Sequence, residues 1–394
     1  DRTQTVGFSM DGKPVQGHRG DTLAAALMAS GRMLMGRSFK YHRPRGVVGA
    51  GWEEPNALFQ IGAGARYEPN QRATTVELTE GLKTESQNRW PSLEFDVGQI
   101  NDKLSRFFPA GFYYKTFIAP RAAWKHVFEP IIRRAAGLGK PPTEGDPDQY
   151  EHYYHFTDVL VVGGGVAGLT AARAAAEAGA DVMLVEQSWW WGGRALVDAP
   201  MIDGMPAADW IDAQVAALSA MPNVTLRLRT QGSAVHDHGH ALLFERAAAE
   251  HDAGPLRHRL WRVRAGRIIT ASGAVERPLS FAGNDLPGVM LASAMRDYLD
   301  LWAVAPGNRV LVVANNDDGY RTALALHGAG VTVAAVVDPR PAADGALPDA
   351  ARAAGIPVRA GMAMKKALGR KKVDGAEICP AQGDGAGAEK IACD

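Results

Sequence analysis

A glycine-rich turn carries the clearest chemical signal in this sequence of 394 residues. The apolar run 158–162 predicts a buried strand, and the motif Gly163–Gly168 follows it directly in the pattern GxGxxG. In such a motif Gly163 makes a tight turn, Gly165 lets the backbone approach a pyrophosphate, and Gly168 lets the next helix pack closely on the strand. The N-terminus of that helix offers unpaired N–H groups and a positive dipole end to an anion. The pattern therefore predicts a dinucleotide-binding site.

An acidic residue stands at the end of the next predicted strand. This strand, 181–185, runs into Glu186, which is 23 residues after Gly163. A carboxylate at this place accepts hydrogen bonds from a ribose diol and repels a 2′-phosphate, so NAD and FAD are both favoured over NADP. The alternative is a relic of the fold that binds nothing.

A second Rossmann-like βαβ unit is predicted over 309–339, and its second strand ends at Asp338. The glycine turn of this unit is degenerate, because 314–319 reads Ala-Asn-Asn-Asp-Asp-Gly where GxGxxG would stand. Side chains there block the close approach of a phosphate, and Asp317 and Asp318 repel an anion. We expect the fold to be kept and the second nucleotide site to be lost.

The elements that must position the glycine turn form an α/β fold. From Thr157 onward, strand-like apolar runs alternate with Ala-rich helical patterns, which predicts a parallel sheet covered by helices. We assign the dinucleotide-binding domain to 157–308 and 340–394, with the second βαβ unit at 309–339 between them.

A different pattern opens the chain, and over 1–66 it predicts a β-grasp unit. Two alternating strands flank Asp11-Gly12, which is the strongest short signal for a hairpin turn. A helix follows Gly20-Asp21-Thr22, where Thr22 is a favourable N-cap, and ends at Gly31. This order of strand, turn, strand and helix is typical of the start of a β-grasp fold.

The segment 67–156 between these domains is rich in aromatic residues. Eight of the 30 aromatic residues fall between Phe107 and Phe128. Pro141-Pro142 and Gly145–Pro147 follow and are typical of a linker. The cluster is expected either to pack between domains or to form a surface for a partner subunit, since aromatic residues are enriched at the cores of interfaces.

The overall composition excludes several classes of protein. Hydrophobic residues make up 46% and charged residues 22%, which is ordinary for a globular protein, and the formal net charge of +0 does not suggest binding to nucleic acid. No apolar run reaches the length of a membrane span, and the polar start does not resemble a signal peptide, so a cytoplasmic protein is expected. The only two cysteines, Cys379 and Cys393, exclude a CxxC site and a disulfide-stapled fold.

Neither a catalytic constellation nor a metal site stands out among the remaining polar residues. His236, His238 and His240 alternate, which puts three imidazoles on one face of a strand, but a polar loop is the preferred interpretation and no metal is expected. The basic stretch 365–372 is interpreted as a solvated face, with phosphate contact as the alternative. The catalytic residues therefore stay unknown from the sequence.

Two further stretches resemble the flavoproteins with two dinucleotide-binding domains. Gly192-Gly193-Arg194 follows Glu186 as in those proteins, where the glycine pair lies near the cofactor phosphates, and 267–274 resembles their crossover strand. The tryptophans 189–191 between them are interpreted as a partly exposed contact loop or as a stack on the adenine. The cofactor-binding residues predicted in this way are Gly163, Gly165, Val166, Ala167, Gly168, Glu186, Gln187, Gly192, Gly193, Arg194, Gly232, Ala271, Ser272 and Gly273.

As a whole, the chain resembles the α subunits of heterotetrameric sarcosine oxidases. The β-grasp start, the stretch Phe39–Gly46, the stretch Glu53–Ala57, the aromatic segment and the GxGxxG domain follow one another as in that family. The stretches around Arg43-Pro44-Arg45-Gly46 and Glu53–Ala57 are the most specific part, because a generic nucleotide-binding fold does not require them.

The resemblance implies a set of cofactors and partners. It implies NAD in this chain, FAD in a β subunit, FMN at the α–β interface, and β, γ and δ subunits as partners. Related amine oxidases carry a [2Fe–2S] loop in the N-terminal unit, and here Gly46–Gly51 stands in that region without a cysteine. Since a cluster needs four thiolates, we expect a ferredoxin-like domain without an iron–sulfur cluster.

The resemblance also implies an activity, the oxidative demethylation of sarcosine with oxygen, although other N-methyl amino acids remain open as substrates. The family's C-terminal half, which passes the one-carbon product to tetrahydrofolate, is not found before Asp394, so the chain is expected to be a fragment or a short paralogue. Two alternatives stay open. The chain is either a free-standing FAD-dependent amine or opine oxidoreductase, or a non-catalytic scaffold with a bound nucleotide.

Overall fold

The computed structural model of the protein describes residues 2–108, 111, 117, 119–247 and 255–394. The chain divides into two compact units: unit 1 comprises Asp1–Gly145 and Glu276–Asp394, and unit 2 comprises Asp146–Val275. The segments 276–308 and 340–394, which the sequence analysis assigns to the dinucleotide-binding domain, therefore lie in unit 1.

The N-terminal part of unit 1 is a five-stranded sheet in the order β2-β1-β7-β5-β6, with helix α1 against it. Asp11 and Gly12 both have positive φ, as the predicted hairpin turn requires. The Thr22 Oγ1 accepts a hydrogen bond from the Ala25 N–H at 3.1 Å and caps α1. The elements are β1 (Thr5–Met10), β2 (Lys13–His18), α1 (Leu23–Ala29), β3 (Gly36–Arg37), β4 (Pro44–Arg45), β5 (Leu58–Ile61), β6 (Glu68–Arg72) and β7 (Lys83–Ser86).

The sheet continues past residue 66, where the sequence analysis ends the β-grasp unit. Strand β7 pairs in parallel with β1 and antiparallel with β5, so it lies in the centre of the sheet. Its sequence, Lys-Thr-Glu-Ser, is polar, which hides it from a search for apolar alternation. The helical segments that follow are short: Val97–Gln99, α2 (Ile100–Lys103), Ser105–Phe107, α3 (Arg121–Ala123), Trp124–Phe128 and α4 (Glu129–Ala135). Three members of the predicted aromatic cluster, Phe112, Tyr113 and Tyr114, lie outside the described residues.

Unit 2 is built on a six-stranded sheet in the order β12-β9-β8-β15-β14-β13. Strands β12, β9, β8 and β15 are parallel neighbours, whereas β14 and β13 add antiparallel pairs at one edge. Apolar side chains fill both faces of the parallel part, which explains its near-continuous hydrophobic runs. The elements are β8 (Gln149–Val162), α5 (Val166–Glu177), β9 (Val182–Val185), α6 (Ala195–Asp198), β10 (Met201–Ile202), β11 (Met205–Pro206), α7 (Ala207–Ser219), β12 (Val224–Arg227), β13 (Thr230–His236), β14 (His240–Arg246) and β15 (Leu256–Thr270).

The C-terminal part of unit 1 contains the second βαβ unit and a small antiparallel sheet. Strands β16, β17 and β18 form a parallel sheet, and helix α9 packs against β16 and β17. The buried face of α9 carries Tyr320, Ala323 and Leu326. The elements are α8 (Ala292–Trp302), β16 (Arg309–Val313), α9 (Asp318–Gly328), β17 (Thr332–Asp338), α10 (Ala346–Ala353), β18 (Val358–Ala360), β19 (Met362–Gly369), β20 (Val373–Pro380) and β21 (Glu389–Ile391). Among the described residues, none of the helices has the length and apolar character needed to cross a membrane.

Candidate nucleotide-binding site

The glycine turn of unit 2 is shaped by two close backbone contacts. Gly163 has a φ of +111°, and a Cβ on it would lie 2.2 Å from the carbonyl oxygen of Ala271. A Cβ on Gly168 would lie 1.8 Å from the carbonyl oxygen of Gly163. A side chain at either position would therefore clash with backbone, so these two glycines let β8, β15 and α5 approach one another.

Gly165 differs from these two glycines because its Cβ position is open. The nearest heavy atom to a Cβ on Gly165 would be the carbonyl oxygen of Gly192 at 3.9 Å. Gly165 is also the N-cap of α5, which begins at Val166, and as a glycine it offers no side-chain cap. The backbone N–H groups at this helix end can accordingly face an anion, and the space over Gly165 admits one.

The Glu186 carboxylate is buried beside the glycine turn and is held by backbone donors. Glu186 is the residue directly after β9, and it is only 7% exposed. The Gly164 N–H donates to Oε2 at 2.7 Å, and the Ser188 N–H donates to Oε1 at 2.8 Å. A carboxylate offers about four acceptor positions, so both oxygens keep capacity for the hydroxyl groups of a ribose.

Gly164, which is missing from the predicted cofactor-binding residues, also shapes the site together with Trp191. A Cβ on Gly164 would lie 2.4 Å from the Trp191 ring and 2.9 Å from the Glu186 Cβ. Gly164 therefore lets Trp191 and Glu186 pack on the turn. The middle glycine of a Gly-Gly-Gly run is the only signal that could have marked it.

The predicted glycine pair lies against the turn. The Gly192 N–H donates to the carbonyl oxygen of Gly164 at 2.9 Å, and a Cβ on Gly193 would lie 3.3 Å from the Cα of Gly165. Both glycines have positive φ, +106° and +51°. The structure thus brings the pair to the place where a phosphate would enter.

The remaining predicted residues take different positions. Ala271 lies on the crossover from β15 and donates its N–H to the carbonyl oxygen of Val162 at 2.8 Å. Gly232 lies at an irregularity of β13, where a Cβ would be 2.9 Å from Val162. Arg194 forms an ion pair with Asp198 at 2.6 Å, and Gln187 is exposed. Further positions are Val166 and Ala167 in the first turn of α5, and Ser272 and Gly273 after β15.

In the second βαβ unit the acidic residue at the end of the second strand is neutralised. Asp338 is fully buried, and it accepts hydrogen bonds from the Arg340 guanidinium, the closest at 2.7 Å, and from the Tyr320 hydroxyl at 2.9 Å. Although burial opposes it, the hydrogen bonds from Arg340 hold the pKa of Asp338 below its usual value. At the degenerate turn, Asp317 pairs with Arg340 at 2.9 Å and Asp318 pairs with Arg296 at 2.9 Å.

Within the described residues, no group of three or more His, Cys, Asp or Glu side chains is arranged to hold a metal ion. Of the predicted histidine trio, the rings of His236 and His240 lie 5.6 Å apart, and His238 occupies a turn with positive φ.

A glycine turn, a buried acid and a crossover strand in this arrangement are typical of dinucleotide-binding folds, and comparisons with known proteins agree with this fold. Residues 158–253 match the family model described as FAD dependent oxidoreductase. The structure of L-proline dehydrogenase from P. horikoshii aligns with the whole chain and 59% of its own length at a TM-score of 0.61 and 17% identity. The predicted α/β fold of the FAD/NAD-binding type is thereby confirmed.

The more specific resemblance is to subunits named sarcosine oxidase subunit alpha. The protein from Rhizobium meliloti (strain 1021) is 50% identical over 347 residues, which is 87% of this chain. The protein from Corynebacterium sp. (strain P-1) is 36% identical over 368 residues, which is 91% of this chain. The chain spans about a third of the length of these relatives, 35% and 33%. The predicted resemblance is confirmed: over most of its length, this chain is similar to about a third of the proteins named sarcosine oxidase subunit alpha.

The comparisons also correct one prediction. Residues 3–89 match the family model described as 2Fe-2S iron-sulfur cluster binding domain, which contradicts our prediction of a cofactor set without an iron–sulfur cluster. The prediction rested only on the missing cysteines, whereas the match extends over the whole N-terminal sheet.

The side chains of this domain do not supply the usual ligands of such a cluster. Residues 3–89 contain no thiol, and the N–H groups of Val48 and Gly49 donate to the carboxylate of Glu54 at 2.7 and 2.8 Å. Ligation of a cluster requires four thiolates, which these residues do not fit.

Proposed function

We propose that this chain is the dinucleotide-binding part of the α subunit of a sarcosine-oxidase-type complex. The observation that carries the proposal is the juxtaposition in unit 2 of the open backbone at Gly165 with the buried carboxylate of Glu186. The first feature accommodates a pyrophosphate at the N-terminus of α5, and the second accommodates the adenosine ribose about one strand away. A single extended dinucleotide satisfies both.

The proposed ligand is an adenine dinucleotide with a free 2′-hydroxyl. Each Glu186 oxygen already accepts one backbone N–H, so a ribose hydroxyl completes its hydrogen bonding, whereas a 2′-phosphate would be repelled by the buried charge. NAD is the dinucleotide that the sequence analysis names, while the similarity to FAD dependent oxidoreductases favours FAD. The experiment below separates them.

For the complete complex we propose the flavin-dependent oxidation of sarcosine. A bound flavin would supply the acceptor for a hydride from the N-methyl group of sarcosine, and oxygen would take up the two electrons and become hydrogen peroxide. The one-carbon fragment would be passed to tetrahydrofolate, which leaves glycine. The support is the 50% identity to a protein named sarcosine oxidase subunit alpha. The word subunit in that name also supports the existence of partner chains, and we propose β, γ and δ subunits as these partners.

The test combines an absorbance spectrum of the purified chain with release and mass analysis of its bound nucleotide. A flavin band with released FAD would assign FAD to the glycine turn, and released NAD without a flavin band would assign NAD. A chain purified empty is titrated with both.

The matched variants are Glu186→Ala and Glu186→Gln. Removal of the carboxylate is expected to weaken binding of the dinucleotide at least about tenfold, since charge-assisted hydrogen bonds are among the strong ones. Glu186→Gln keeps the shape of the side chain and one acceptor oxygen, so this variant should lose less affinity for the dinucleotide than Glu186→Ala. Equal binding by the parent chain and Glu186→Ala would contradict the proposed ribose contact, and failure of all three proteins to bind NAD or FAD would contradict the proposed site.

A further inference from the structure

A polar cleft in unit 1 lies outside the glycine-turn site. Its volume is about 300 Å³, and it is bordered by the β3–β4 region, by α2 and by the turn between β19 and β20. The charged residues that line it are Arg43, Arg45, Asp102, Lys103, Asp285 and Arg370. Four cations thus face two carboxylates.

The two carboxylates are already paired with the two arginines of the Arg-Pro-Arg stretch. The Arg43 Nε lies 2.6 Å from the Asp102 Oδ1, and the Arg45 Nη1 lies 2.7 Å from the Asp285 Oδ2. These pairs hold the guanidinium groups at the cleft, where a guanidinium keeps further N–H donors beyond the one that a carboxylate takes. The Arg-Pro-Arg stretch, which is not part of the nucleotide site, therefore lines this cleft.

The other two cations leave the cleft with an excess of positive charge. Among the residues that the structure describes, no carboxylate pairs with Lys103 or Arg370, and both are exposed. Two cations without carboxylates in a concave site raise the local concentration of anions.

The turn that carries Arg370 is held in place by backbone contacts. Gly369 has a φ of +139°, and a Cβ on it would lie 2.0 Å from the carbonyl oxygen of Lys372. The N–H of Val373 donates to the carbonyl oxygen of Pro287 at 2.9 Å, next to the residues that flank Asp285. Arg370 therefore projects from a fixed turn at the rim of the cleft.

We propose that this cleft binds the phosphate group of a small phosphate-bearing molecule. A phosphate carries close to two negative charges and three acceptor oxygens, which match the excess of two cations and the remaining guanidinium donors. The planar forks of the arginines suit phosphate oxygens, and Lys103 adds a point charge. The site is independent of the proposed dinucleotide site, because all its residues belong to unit 1.

The test is a titration of inorganic phosphate with the chain at low ionic strength. Binding is monitored by the line width of the phosphorus NMR signal. Arg370→Ala and Lys103→Ala remove the two cations of the cleft. Lys371→Ala is the matched control, because it removes the same charge from the same turn but does not line the cleft. Phosphate taken up by the glycine turn in unit 2 contributes equally to all four proteins.

We expect the parent chain and Lys371→Ala to bind alike, and the two cleft variants to bind about tenfold more weakly. Binding should also fall with added salt, as for exposed charges. Equal weakening by all three substitutions would show unspecific attraction to surface charge and overturn the site, as would equal binding by all four proteins. Malonate binding as tight as phosphate would overturn the choice of phosphate.

Discussion

Two acidic residues illustrate how chemistry is decided at the scale of single residues. Glu186 follows the second strand of one βαβ unit, and Asp338 is the last residue of the second strand of the other. Glu186 accepts hydrogen bonds from backbone N–H groups and keeps spare acceptor positions, whereas Asp338 is paired with Arg340 and accepts a hydrogen bond from Tyr320. A ribose diol can complete the first environment but would have to displace an arginine from the second.

The glycines of the turn lead to a prediction that separates folding from binding. Gly165→Ala should leave the stability of unit 2 nearly unchanged, because the new Cβ meets no atom closer than 3.9 Å, but it should weaken dinucleotide binding at least about tenfold by filling the phosphate approach. Gly168→Ala should lower the free energy of unfolding by about 2–4 kcal/mol, because its Cβ would meet the Gly163 oxygen at 1.8 Å.

Urea unfolding and nucleotide titration of both variants check this prediction. Gly328→Ala is the control, since a Cβ there meets nothing within 4 Å. Stability losses of similar size for Gly165→Ala and Gly168→Ala would contradict the assigned difference between these glycines.

At the scale of elements, the loop after β4 is organised by one buried carboxylate. Glu54 is 1% exposed, and its two oxygens accept hydrogen bonds from the N–H groups of Val48, Gly49, Asn56 and Ala57 at 2.7–3.0 Å. Burial raises the pKa of this carboxyl group, although the N–H donors act against the rise. In the same loop, the Val48 carbonyl oxygen accepts a hydrogen bond from the Leu291 N–H. Glu54 therefore holds in place a loop that joins two parts of unit 1 that are distant in sequence.

We therefore predict that Glu54→Ala lowers the free energy of unfolding by about 3 kcal/mol, because four backbone donors lose their acceptor. Glu54→Gln should also destabilise, since its NH₂ group would face two of the donors. The neighbouring Glu53 accepts the N–H groups of Ala50 and Gly51 but is exposed, so Glu53→Ala should cost about 1 kcal/mol or less. Urea unfolding measures all three, and an equal loss for Glu53→Ala and Glu54→Ala would refute the role assigned to burial.

These elements show how far local patterns predict the fold. The hairpin at Asp11-Gly12 follows from neighbouring residues and is found as predicted. The strand–turn–helix at 158–178 is also found, but its strand β8 begins at Gln149, within the segment that the sequence pattern assigns to a linker. The central strand β7 was missed because its residues are polar, and its position depends on pairing with β1 and β5. The missing cysteines likewise misled the cofactor prediction, because a domain family is defined by its whole chain path rather than by one set of side chains.

At the scale of the whole molecule, the two units are held together in different ways. Unit 1 combines two segments that are distant in sequence, and unit 2 is one continuous segment with its own core. In unit 1, helix α8 contacts the N-terminal part through the Tyr298 hydroxyl, which donates to the Gly49 oxygen at 3.1 Å, and through the Trp302 indole, which donates to the Gly20 oxygen at 3.1 Å. Unit 2 has a separate core around Leu160, Leu243 and Trp261.

Acid is predicted to destabilise unit 2 through His258, a histidine of strand β15. Burial and the neighbouring Arg257 and Arg246 lower the pKa of His258 to about 4, while Asp148 acts in the opposite direction. An unfolded histidine takes up a proton near pH 6.5, so between about pH 6.5 and pH 4 the unfolded state binds more protons, and the stability of unit 2 falls as the pH falls.

Native-state hydrogen exchange of peptides from β14 and β15 at pH 7 and pH 5 measures this effect. His258→Asn should flatten the pH dependence, whereas the exposed His152→Asn on the neighbouring strand should leave it unchanged. The same pH dependence in His258→Asn as in the parent chain would mean that other groups cause it.

Near neighbours in the chain specify the GxGxxG turn, the acid after the second strand and the degenerate second turn, and these features can be read from the amino-acid order. Their surroundings depend on contacts between distant residues. The fold places Ala271 against Gly163, leaves Gly165 open, and joins two distant segments in unit 1. Burial, close approach and charge pairing arise between residues that the chain brings together from far apart, and a linear pattern does not contain those distances.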